Sequence, residues 1–414
     1  MLGPALALGA AAAALAATAA AASLPVVPAV AALAVLGLLH VVLAALRVED
    51  GAMDGETLAL LEGEQTAPFR PSRHREQRPA PECVAVAAAM NGAPPTDDEA
   101  TSAQQMRGIL AANHLAFRSL ERDPGLLLQC SERMCSAAPG ALWTRFTVSY
   151  NLYAGSIVAL GSERQRAELY DAQGELGCFA FTEVGAGVLS GAGVETTATY
   201  DPETETFVIH SPGPTARKTW ISQGMFAERA VILAELVVGG EKKGPHLFTA
   251  RIANVAQDGA VRTVKGVTTT SLPGKVALRG LDNAYISFEQ FAVPRTALLS
   301  RFCGVDKGGA YSLSLPAGAD RMLDVLISRL MTGRICLSEC TVGYAMALLR
   351  RSWSHCAARE LWRGRKPSGP LMSSMPLIRS GFRDYGRSLA VVAAFIRHMA
   401  SMGTRFPPSP TPRN

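Results

Sequence analysis

A glycine-rich bend between strand-like segments constrains the fold of this chain more than any other feature. Residues 178–181 form an apolar, strand-like run, and residues 182–187 then read Thr-Glu-Val-Gly-Ala-Gly. Glycine accepts positive φ without a Cβ clash, so a sharp turn is expected there. Residues 195–200 read as an extended, Thr-rich segment, and residues 206–210 as a β-branched return strand. The hydroxyl and the open amides of the bend are candidates to contact a flat polar ligand, and a plain loop is the alternative.

Helical patterns flank this β-rich part on both sides. From residue 96, the capping side chains and early negative charge of Thr-Asp-Asp-Glu predict a helix N-terminus. Residues 323–331 carry apolar side chains at i, i+3, i+4, i+7 and i+8, which lie on one face of a helix. The chain is therefore predicted to be an α+β protein with an N-terminal helical domain, a central antiparallel β-domain and a C-terminal helical bundle.

The apolar N-terminus of the chain is set apart from these domains. Residues 1–46 contain no Asp, Glu, Lys or Arg, and within them 29–46 is just long enough to span a bilayer. A membrane anchor, an unusual targeting segment and a gene-model artefact are the alternative interpretations. The expected segments are an apolar segment, a linker, three domains and a disordered tail, at 1–46, 47–95, 96–173, 174–302, 303–402 and 403–414.

Charge and cysteine usage narrow the classes of function. The net charge of +5 is not concentrated in a dense Lys/Arg block, so nucleic-acid binding has no particular support. The eight cysteines are scattered without a CxxC pair, and the seven histidines show no metal-ligand spacing. Reduced, packing cysteines and no metal site are therefore expected.

The bend and the segment after it resemble the flavin-proximal part of the peroxisomal acyl-CoA oxidases, relatives of the acyl-CoA dehydrogenases. In that family a Thr-Glu-x-Gly-x-Gly turn is followed by Gly-x-Glu-Thr-Thr-Ala-Thr-Tyr-Asp-Pro and a strand. Thr182-Glu183, Gly185 and Gly187 occupy the positions of the turn, and residues 195–202 those of the second motif. A resemblance of this length is specific to the family.

Further segments are similar to the same family. The family's Lys-Trp-Trp-x-Gly-Gly string lies against the flavin ring; in this chain Lys218 and Trp220 are kept, while Thr219, Ser222 and Gln223 replace the second aromatic and both glycines. The resemblance covers about residues 97–400. Its other parts are an N-terminal helix and turn, an Asp-Asn-Gly-Tyr-like strand with its Val-Pro-Arg exit, and the first flavin-side helix, at 151–165, 282–295 and 328–334.

The resemblance implies an FAD-dependent enzyme that converts a fatty acyl-CoA to the trans-2-enoyl-CoA and reduces oxygen to hydrogen peroxide. The implied partners are fatty acyl-CoA, molecular oxygen and a second copy of the chain, and the implied location is the peroxisome. No Ser-Lys-Leu-type signal ends the sequence, and a membrane-anchored location is the alternative. The residues implied to contact FAD are Thr182, Gly187, Trp220, Ser222 and, at the diphosphate, Arg359.

The catalytic base cannot be assigned from the sequence. In the oxidases it is a glutamate near a Glu-Gly-x-Asn-like motif, well downstream of the helix that corresponds to residues 386–402, and the sequence stops before such a motif. Some related dehydrogenases place it at the position of Ser328, which is not a carboxylate, and nothing aims Glu339 at a substrate. Three interpretations stay open: a diverged or truncated oxidase, a non-catalytic acyl-CoA or flavin-binding relative that is an interaction partner, and an incomplete gene product.

Overall fold

The computed structural model describes Leu61 and residues 80–403, apart from 135–136, 192, 257–258, 317–318 and 362–368. The predictions for residues 1–46 and for the tail after residue 403 lie outside the described residues, as does most of the predicted linker. Within the described part, no helix combines the length and apolar character needed to cross a membrane. The described residues divide between two compact units: the first holds residues 80–344 and 400–403, and the second holds Leu61 and residues 345–399.

Seven α-helices and a π-helical segment form the N-terminal part of the first unit. They are α1 Pro81–Gly92, α2 Glu99–Ala111, α3 Phe117–Arg122, α4 Gly125–Met134, α5 Gly140–Thr147, the π-helix Val148–Ala154, α6 Gly155–Leu160 and α7 Glu163–Asp171. Asp98 caps α2 by accepting a hydrogen bond from the Thr101 N–H at 2.7 Å. Ser162 and Gln165 form a capping box that begins α7.

The first helix corrects the predicted linker, which was expected to extend to residue 95. Cys83, Val86 and Met90 are buried at helical spacing, and Pro81 stands at the first helical positions, where its missing N–H costs no hydrogen bond. The segment packs against α4. The mixture of proline and charge that suggested a linker is therefore compatible with a short buried helix at its C-terminal end.

The main sheet has six strands in the order β1-β5-β2-β3-β11, with β6 on the other edge of β5. Its strands are β1 Gly177–Ala180, β2 Thr197–Asp201, β3 Thr206–His210, β5 Arg229–Val238, β6 Glu241–Arg251 and β11 Phe291–Pro294. Strands β1 and β2 both pair with β5 in parallel, whereas the remaining pairs are antiparallel. The prediction of an antiparallel β-domain is therefore wrong for the pairs of β5 with β1 and β2, because the chain reaches β5 through a crossover and not through a hairpin.

The smaller sheets complete the β-domain. Strand β4 (Lys218–Ser222), β10 (Asn283–Phe288) and β9 (Val267–Ser271) form an antiparallel sheet in the order β4-β10-β9. The strand predicted over residues 280–295 is two strands, because the chain turns at Gln290, which has a φ of +48°. Two hairpins remain, β7 Ala253–Val255 with β8 Val261–Thr263 and β12 Cys303–Val305 with β13 Tyr311–Leu313.

Helices return at the C-terminal side. They are α8 Met322–Leu326, α9 Ser328–Ala358 and α10 Pro376–Gly403, and the boundary between the two units falls within α9. In the second unit, the rings of Trp353 and Phe382 pack edge to face with their centroids 5.2 Å apart. Glu360 and Leu371 form an isolated antiparallel bridge. The α+β arrangement of N-terminal helices, β-domain and C-terminal helices is thus confirmed.

Candidate functional site

The glycine-rich bend fills a gap along one edge of β5. Strand β1 pairs with residues 229–232 and β2 with residues 235–237, so the two strands lie one after the other on the same edge. The chain leaves this edge after Phe181 and returns at Thr196, whose carbonyl accepts a hydrogen bond from the Glu235 N–H at 2.8 Å. Between the two strands, the carbonyl of Leu233 accepts its hydrogen bond from a side chain and not from the backbone of a neighbouring strand.

That side chain is Lys218, the first residue of β4. Its Nζ donates to the Leu233 carbonyl at 2.6 Å and to Glu183 Oε1 at 2.7 Å. Both charged side chains are almost completely buried, with 0% of Lys218 and 2% of Glu183 exposed. Burial lowers the pKa of Lys218 to about 8, although the Glu183 carboxylate acts in the opposite direction. The pair ties the bend to β4 and β5.

Glu183 also holds the end of the bend. Its carboxylate accepts hydrogen bonds from the backbone N–H groups of Glu195, at 2.7 Å, and Thr196, at 3.1 Å. The lysine and the two backbone amides thus take up three of the roughly four acceptor positions of the carboxylate. Glu183 is therefore a structural residue of the bend and is not available as a proton acceptor for a substrate.

The amides of the bend are not open, which corrects the expectation from sequence. The N–H of Val184 bonds to the Arg217 carbonyl at 3.0 Å and that of Gly185 to the Thr215 carbonyl at 2.8 Å. The N–H groups of Ala186 and Gly187 both reach the carbonyl of Glu183. These four N–H groups are thus bonded within the protein, and the side-chain hydroxyl of Thr182 is left for a ligand.

Thr182 stands directly after β1 and is joined to β4. Its carbonyl accepts a hydrogen bond from the Thr219 N–H at 2.9 Å, while its hydroxyl has no partner among the described residues. This contact places Thr182 next to the segment that carries Trp220. Two residues that the sequence predicts to contact FAD are therefore brought together by the backbone.

A β-bulge in β4 directs Trp220 out of the protein. Ile221 pairs with Ala284 and Lys218 with Ile286, so Thr219 and Trp220 both stand opposite one residue of β10. Trp220 has a φ of +57° and 61% of its surface is exposed. A non-glycine residue in the left-handed region costs about 1 kcal/mol or more, and bulges of this kind re-aim side chains near functional sites. The fold thus maintains a strained conformation that presents a flat aromatic ring.

The residues that replace the family's glycines are accommodated in different ways. Ser222 is half-buried and its Oγ accepts a hydrogen bond from Asn283 Nδ2 at 3.1 Å. Gln223 takes a φ of +67° and is fully buried, and its Nε2 donates to Ser149 Oγ at 3.1 Å and to the Gly177 carbonyl at 3.0 Å. The Gln223 side chain therefore points into the protein and does not crowd the surface beside Trp220.

The remaining predicted residues lie elsewhere. Gly187 begins a short 3₁₀ turn, Gly187–Leu189, with a φ of +49° and open space around it. Arg359 follows α9 in the second unit, is exposed, and its carbonyl accepts a hydrogen bond from the Met372 N–H at 2.9 Å. The structure thus brings together Thr182, Trp220 and Ser222, and it leaves the contact of Arg359 with a diphosphate as a prediction.

The residue groups at the β1–β4 junction fit one side of a flat, polar-edged cofactor. They offer an exposed ring for stacking, an unengaged hydroxyl and a backbone already held in place by the Lys218–Glu183 pair. The pairing of Lys218 with Glu183 was missed from sequence. Each of the two residues stands in a motif typical of the same family. The residues are far apart along the chain, however, so neither motif indicates that they form a pair.

Comparisons with known proteins give a consistent result. The chain is 32% identical over 237 residues to peroxisomal acyl-coenzyme A oxidase 2 of Arabidopsis thaliana, covering 55% of this chain and 33% of that protein. It is 35% identical over 183 residues to peroxisomal acyl-coenzyme A oxidase 2 of Oryctolagus cuniculus, covering 43% and 26%. No family model matches the chain.

Solved structures share the fold at low identity. Acyl-CoA oxidase 1 of Yarrowia lipolytica superposes with a TM-score of 0.59 at 20% identity, covering 90% of this chain and 54% of that one. Acyl-CoA oxidase-2 of Caenorhabditis elegans, bound with FAD, ascaroside-CoA and ATP, gives 0.60 at 20% identity and covers 84% and 51%. Glutaryl-CoA dehydrogenase of Mycobacterium smegmatis gives 0.52 at 17% identity, covering 79% and 77%.

The arrangement of helices, β-domain and helices is thus an acyl-CoA dehydrogenase-like fold. Over the aligned residues, the chain is a homologue of the acyl-CoA oxidases. It spans a quarter to a third of the length of the curated relatives named above and about half of the solved oxidases.

Proposed function

We propose that this chain binds FAD at the β1–β4 junction and acts on a fatty acyl-CoA as an acyl-CoA oxidase-like protein. The observation that carries the proposal is the β-bulge at Thr219 and Trp220, which presents an exposed indole beside the unengaged hydroxyl of Thr182. A strained residue that exposes an aromatic ring is costly without a ligand to cover it. FAD in the related Caenorhabditis elegans structure supports the choice of cofactor.

The residues of the junction would each have a defined task. Trp220 would stack on the flat isoalloxazine, and the Thr182 hydroxyl would hydrogen-bond to its polar edge. The Lys218–Glu183 pair would fix the spacing between them, and Ser222 and Gly187 would border the bound cofactor. FAD, when bound, supplies the acceptor for the β-hydrogen of the acyl chain, and oxygen then takes the electrons to give hydrogen peroxide.

A second candidate function is binding of FAD or acyl-CoA without turnover. It is favoured by the carboxylates of the bend, since Glu183 is occupied by Lys218 and Glu195 accepts a hydrogen bond from the Thr215 hydroxyl at 2.7 Å. Neither is placed to accept the α-proton of a substrate. An oxidase reaction in this chain would need a base from another segment, and a binding role as the partner of an intact oxidase would not.

The wider biological setting is part of the proposal. Fatty acyl-CoA and molecular oxygen are the proposed partners, together with a second copy of the chain. The curated relatives are named as peroxisomal, and a peroxisomal location is proposed on that basis. The alternative of a membrane-anchored location depends on residues 29–46, which lie outside the described residues.

The absorbance spectrum of the purified full chain tests cofactor binding directly. The protein would be incubated with excess FAD, passed through a desalting column and scanned for a flavin band. We expect a stoichiometric flavin band that moves and gains vibrational structure, because the ring leaves water for the surface of Trp220. A folded protein without a band would refute FAD binding, and folding would be checked by circular dichroism.

Anaerobic addition of a fatty acyl-CoA separates the two candidate functions. Bleaching of the bound flavin, followed by recovery of colour and formation of hydrogen peroxide when oxygen is admitted, is expected of an oxidase. A flavin band that a fatty acyl-CoA does not bleach would assign the binding role instead.

A further inference from the structure

A cavity of about 460 Å³ lies between the N-terminal helices and the main sheet. Its volume falls within the usual range of small-molecule sites. The apolar part of its wall comes from the helices and from β11, and includes Ile157, Leu169, Phe291 and Val293. The cavity can therefore hold the apolar body of a small ligand.

Tyr153 provides a polar group inside this cavity. Only 3% of its surface is exposed, it lines the cavity, and its hydroxyl has no hydrogen-bond partner among the described residues. Gly177 allows the ring to lie against β1, since a Cβ at that position would stand 2.2 Å from ring atoms of Tyr153. Burial raises the pKa of the Tyr153 hydroxyl, so the group remains a protonated donor. The hydroxyl is therefore a neutral donor on the cavity wall that can bond to a ligand.

Three cations line the same cavity, namely Arg229, Arg251 and Lys265. Both guanidinium groups bond to the single carboxylate of Glu175, Arg229 through Nε and Arg251 through Nη2. The two terminal nitrogens of Arg229 have no partner among the described residues, and neither does the ammonium of Lys265. Glu168 also lines the cavity, but its carboxylate is paired with Arg164 at 2.8 Å. The polar wall therefore has an excess of positive charge and unused donors.

The cavity is separate from the proposed FAD site. Arg229 pairs with Gly177 at the start of β1, whereas Thr182 follows the end of that strand. Five residues of extended chain correspond to about 16 Å. A ligand in the cavity would therefore leave the surface beside Trp220 free.

We propose that this cavity is a binding site for a small organic monocarboxylate with an apolar body. The carboxylate would accept hydrogen bonds from the Tyr153 hydroxyl and from the free terminal nitrogens of Arg229, whose planar fork matches its two oxygens. The apolar body would lie against Leu169 and Phe291. An apolar wall disfavours inorganic phosphate, and the free guanidinium and hydroxyl donors disfavour an uncharged ligand of the same shape.

Calorimetric titration of the full chain with sodium octanoate tests the proposal. Octanol and inorganic phosphate serve as comparison ligands, because the first has the apolar body alone and the second the charge alone. We expect one octanoate to bind per chain and to bind at least tenfold more tightly than either comparison ligand. Equal affinity for octanol and octanoate would overturn the proposal.

Variants locate the binding and separate it from folding. Tyr153→Phe is expected to weaken octanoate binding by roughly tenfold, the effect of one hydrogen bond to a charged group, without loss of thermal stability. Tyr150→Phe is the matched control, since the Tyr150 hydroxyl bonds to the Leu115 carbonyl at 2.9 Å and does not line the cavity. It is expected to lower the stability while octanoate binding is kept.

A pair of charge variants completes the test. Lys265→Gln should weaken octanoate binding several-fold, whereas Lys242→Gln, at an exposed position outside the cavity, should leave it unchanged. The cavity site would be refuted if Tyr153→Phe bound octanoate as the wild type does and octanoyl-CoA displaced the bound octanoate. These two results together would place the ligand at the proposed acyl-CoA site. Neither the expected result nor the refuting one depends on whether the protein retains FAD, so a failure of this proposal can be distinguished from a failure of FAD binding.

Discussion

At the scale of single residues, the left-handed conformation of Trp220 costs folding stability, and in our proposal it exposes the ring that stacks on FAD. Replacing Trp220 by glycine removes the strain of a φ of +57°, so we expect the free energy of unfolding to stay equal or rise by up to about 1 kcal/mol. The same change removes the stacking surface, and retention of FAD after desalting should fall at least tenfold. Urea unfolding and the flavin spectrum measure the two effects.

Gln290→Gly is the matched control for this variant. Gln290 is exposed, has a φ of +48° and lies in the turn between β10 and β11. It should give a similar gain in stability and no change in retention of FAD. If Trp220→Gly retains FAD like the wild type, the assignment of the stacking surface is wrong.

The buried pair of Lys218 and Glu183 gives a second prediction for a single residue. Lys218→Met leaves the Glu183 carboxylate buried without its cation, and we expect the free energy of unfolding to fall by about 3–5 kcal/mol. Lys307→Met is the control, since Lys307 forms an exposed pair with Glu205 at 2.9 Å, and it should cost less than about 1 kcal/mol. Equal losses in urea denaturation would contradict the structural role of the pair.

At the scale of elements, His246 fastens the β12–β13 hairpin to β6. Its Nδ1 lies 3.0 Å from the Gly244 carbonyl and its Nε2 lies 3.0 Å from the Tyr311 hydroxyl. The Nδ1–H therefore donates to the carbonyl, and Nε2 accepts from Tyr311. Burial lowers the pKa of His246 below its ordinary value of 6.5, and the Gly244 carbonyl acts in the opposite direction. Lys243, whose Nζ lies 5.9 Å from the Tyr311 ring centroid, is the nearby cation.

The pH dependence of stability follows from the direction of this shift. Below pH 6.5 the unfolded chain takes up a proton on this histidine that the folded chain excludes, so stability is lost as the pH falls. One proton corresponds to at most about 1.4 kcal/mol per pH unit. Urea unfolding between pH 7.5 and 5.5 should show this slope in the wild type and a smaller slope in His246→Gln. Identical slopes in the two proteins would disprove the assignment.

At the scale of the molecule, Arg145 joins the N-terminal helices to the β-domain. The side chain is fully buried, and its Nη1 lies 2.8 Å from Asp282 Oδ1. It also donates to Ser102 Oγ and to the carbonyls of Glu99 and Gly280, each at 3.0 Å. One guanidinium therefore binds α2 and the loop before β10 at the same time.

Removal of this guanidinium is expected to affect the whole first unit. Arg145→Met leaves the Asp282 carboxylate buried and unpaired, and the free energy of unfolding should fall by about 3–5 kcal/mol. Arg164→Met, which breaks an exposed i,i+4 pair with Glu168, should change it by less than about 0.5 kcal/mol. Thermal melts of both variants, followed by circular dichroism, would show a lowered midpoint for Arg145→Met alone if the connection is as described.

Much of the local structure was predictable because it depends on neighbouring residues. The strand at residues 206–210, for example, follows from a β-branched and apolar run. The helix before residue 95 was missed because a proline-rich context masked three buried residues at helical spacing. The turn at Gln290 was not predicted, because a positive φ at a residue other than glycine has no strong signal in the local sequence.

The order of helices, strands and helices, the position of the bend and the resemblance to the acyl-CoA oxidases can be read from the sequence, because they depend on periodicity and on motifs that are contiguous in the chain. Three features appear only once the chain is folded: β1 and β2 share one edge of β5, Lys218 pairs with Glu183, and Trp220 faces outward. Strand direction, buried pairing and exposure are set by contacts between residues far apart in sequence, whose energies no local pattern contains.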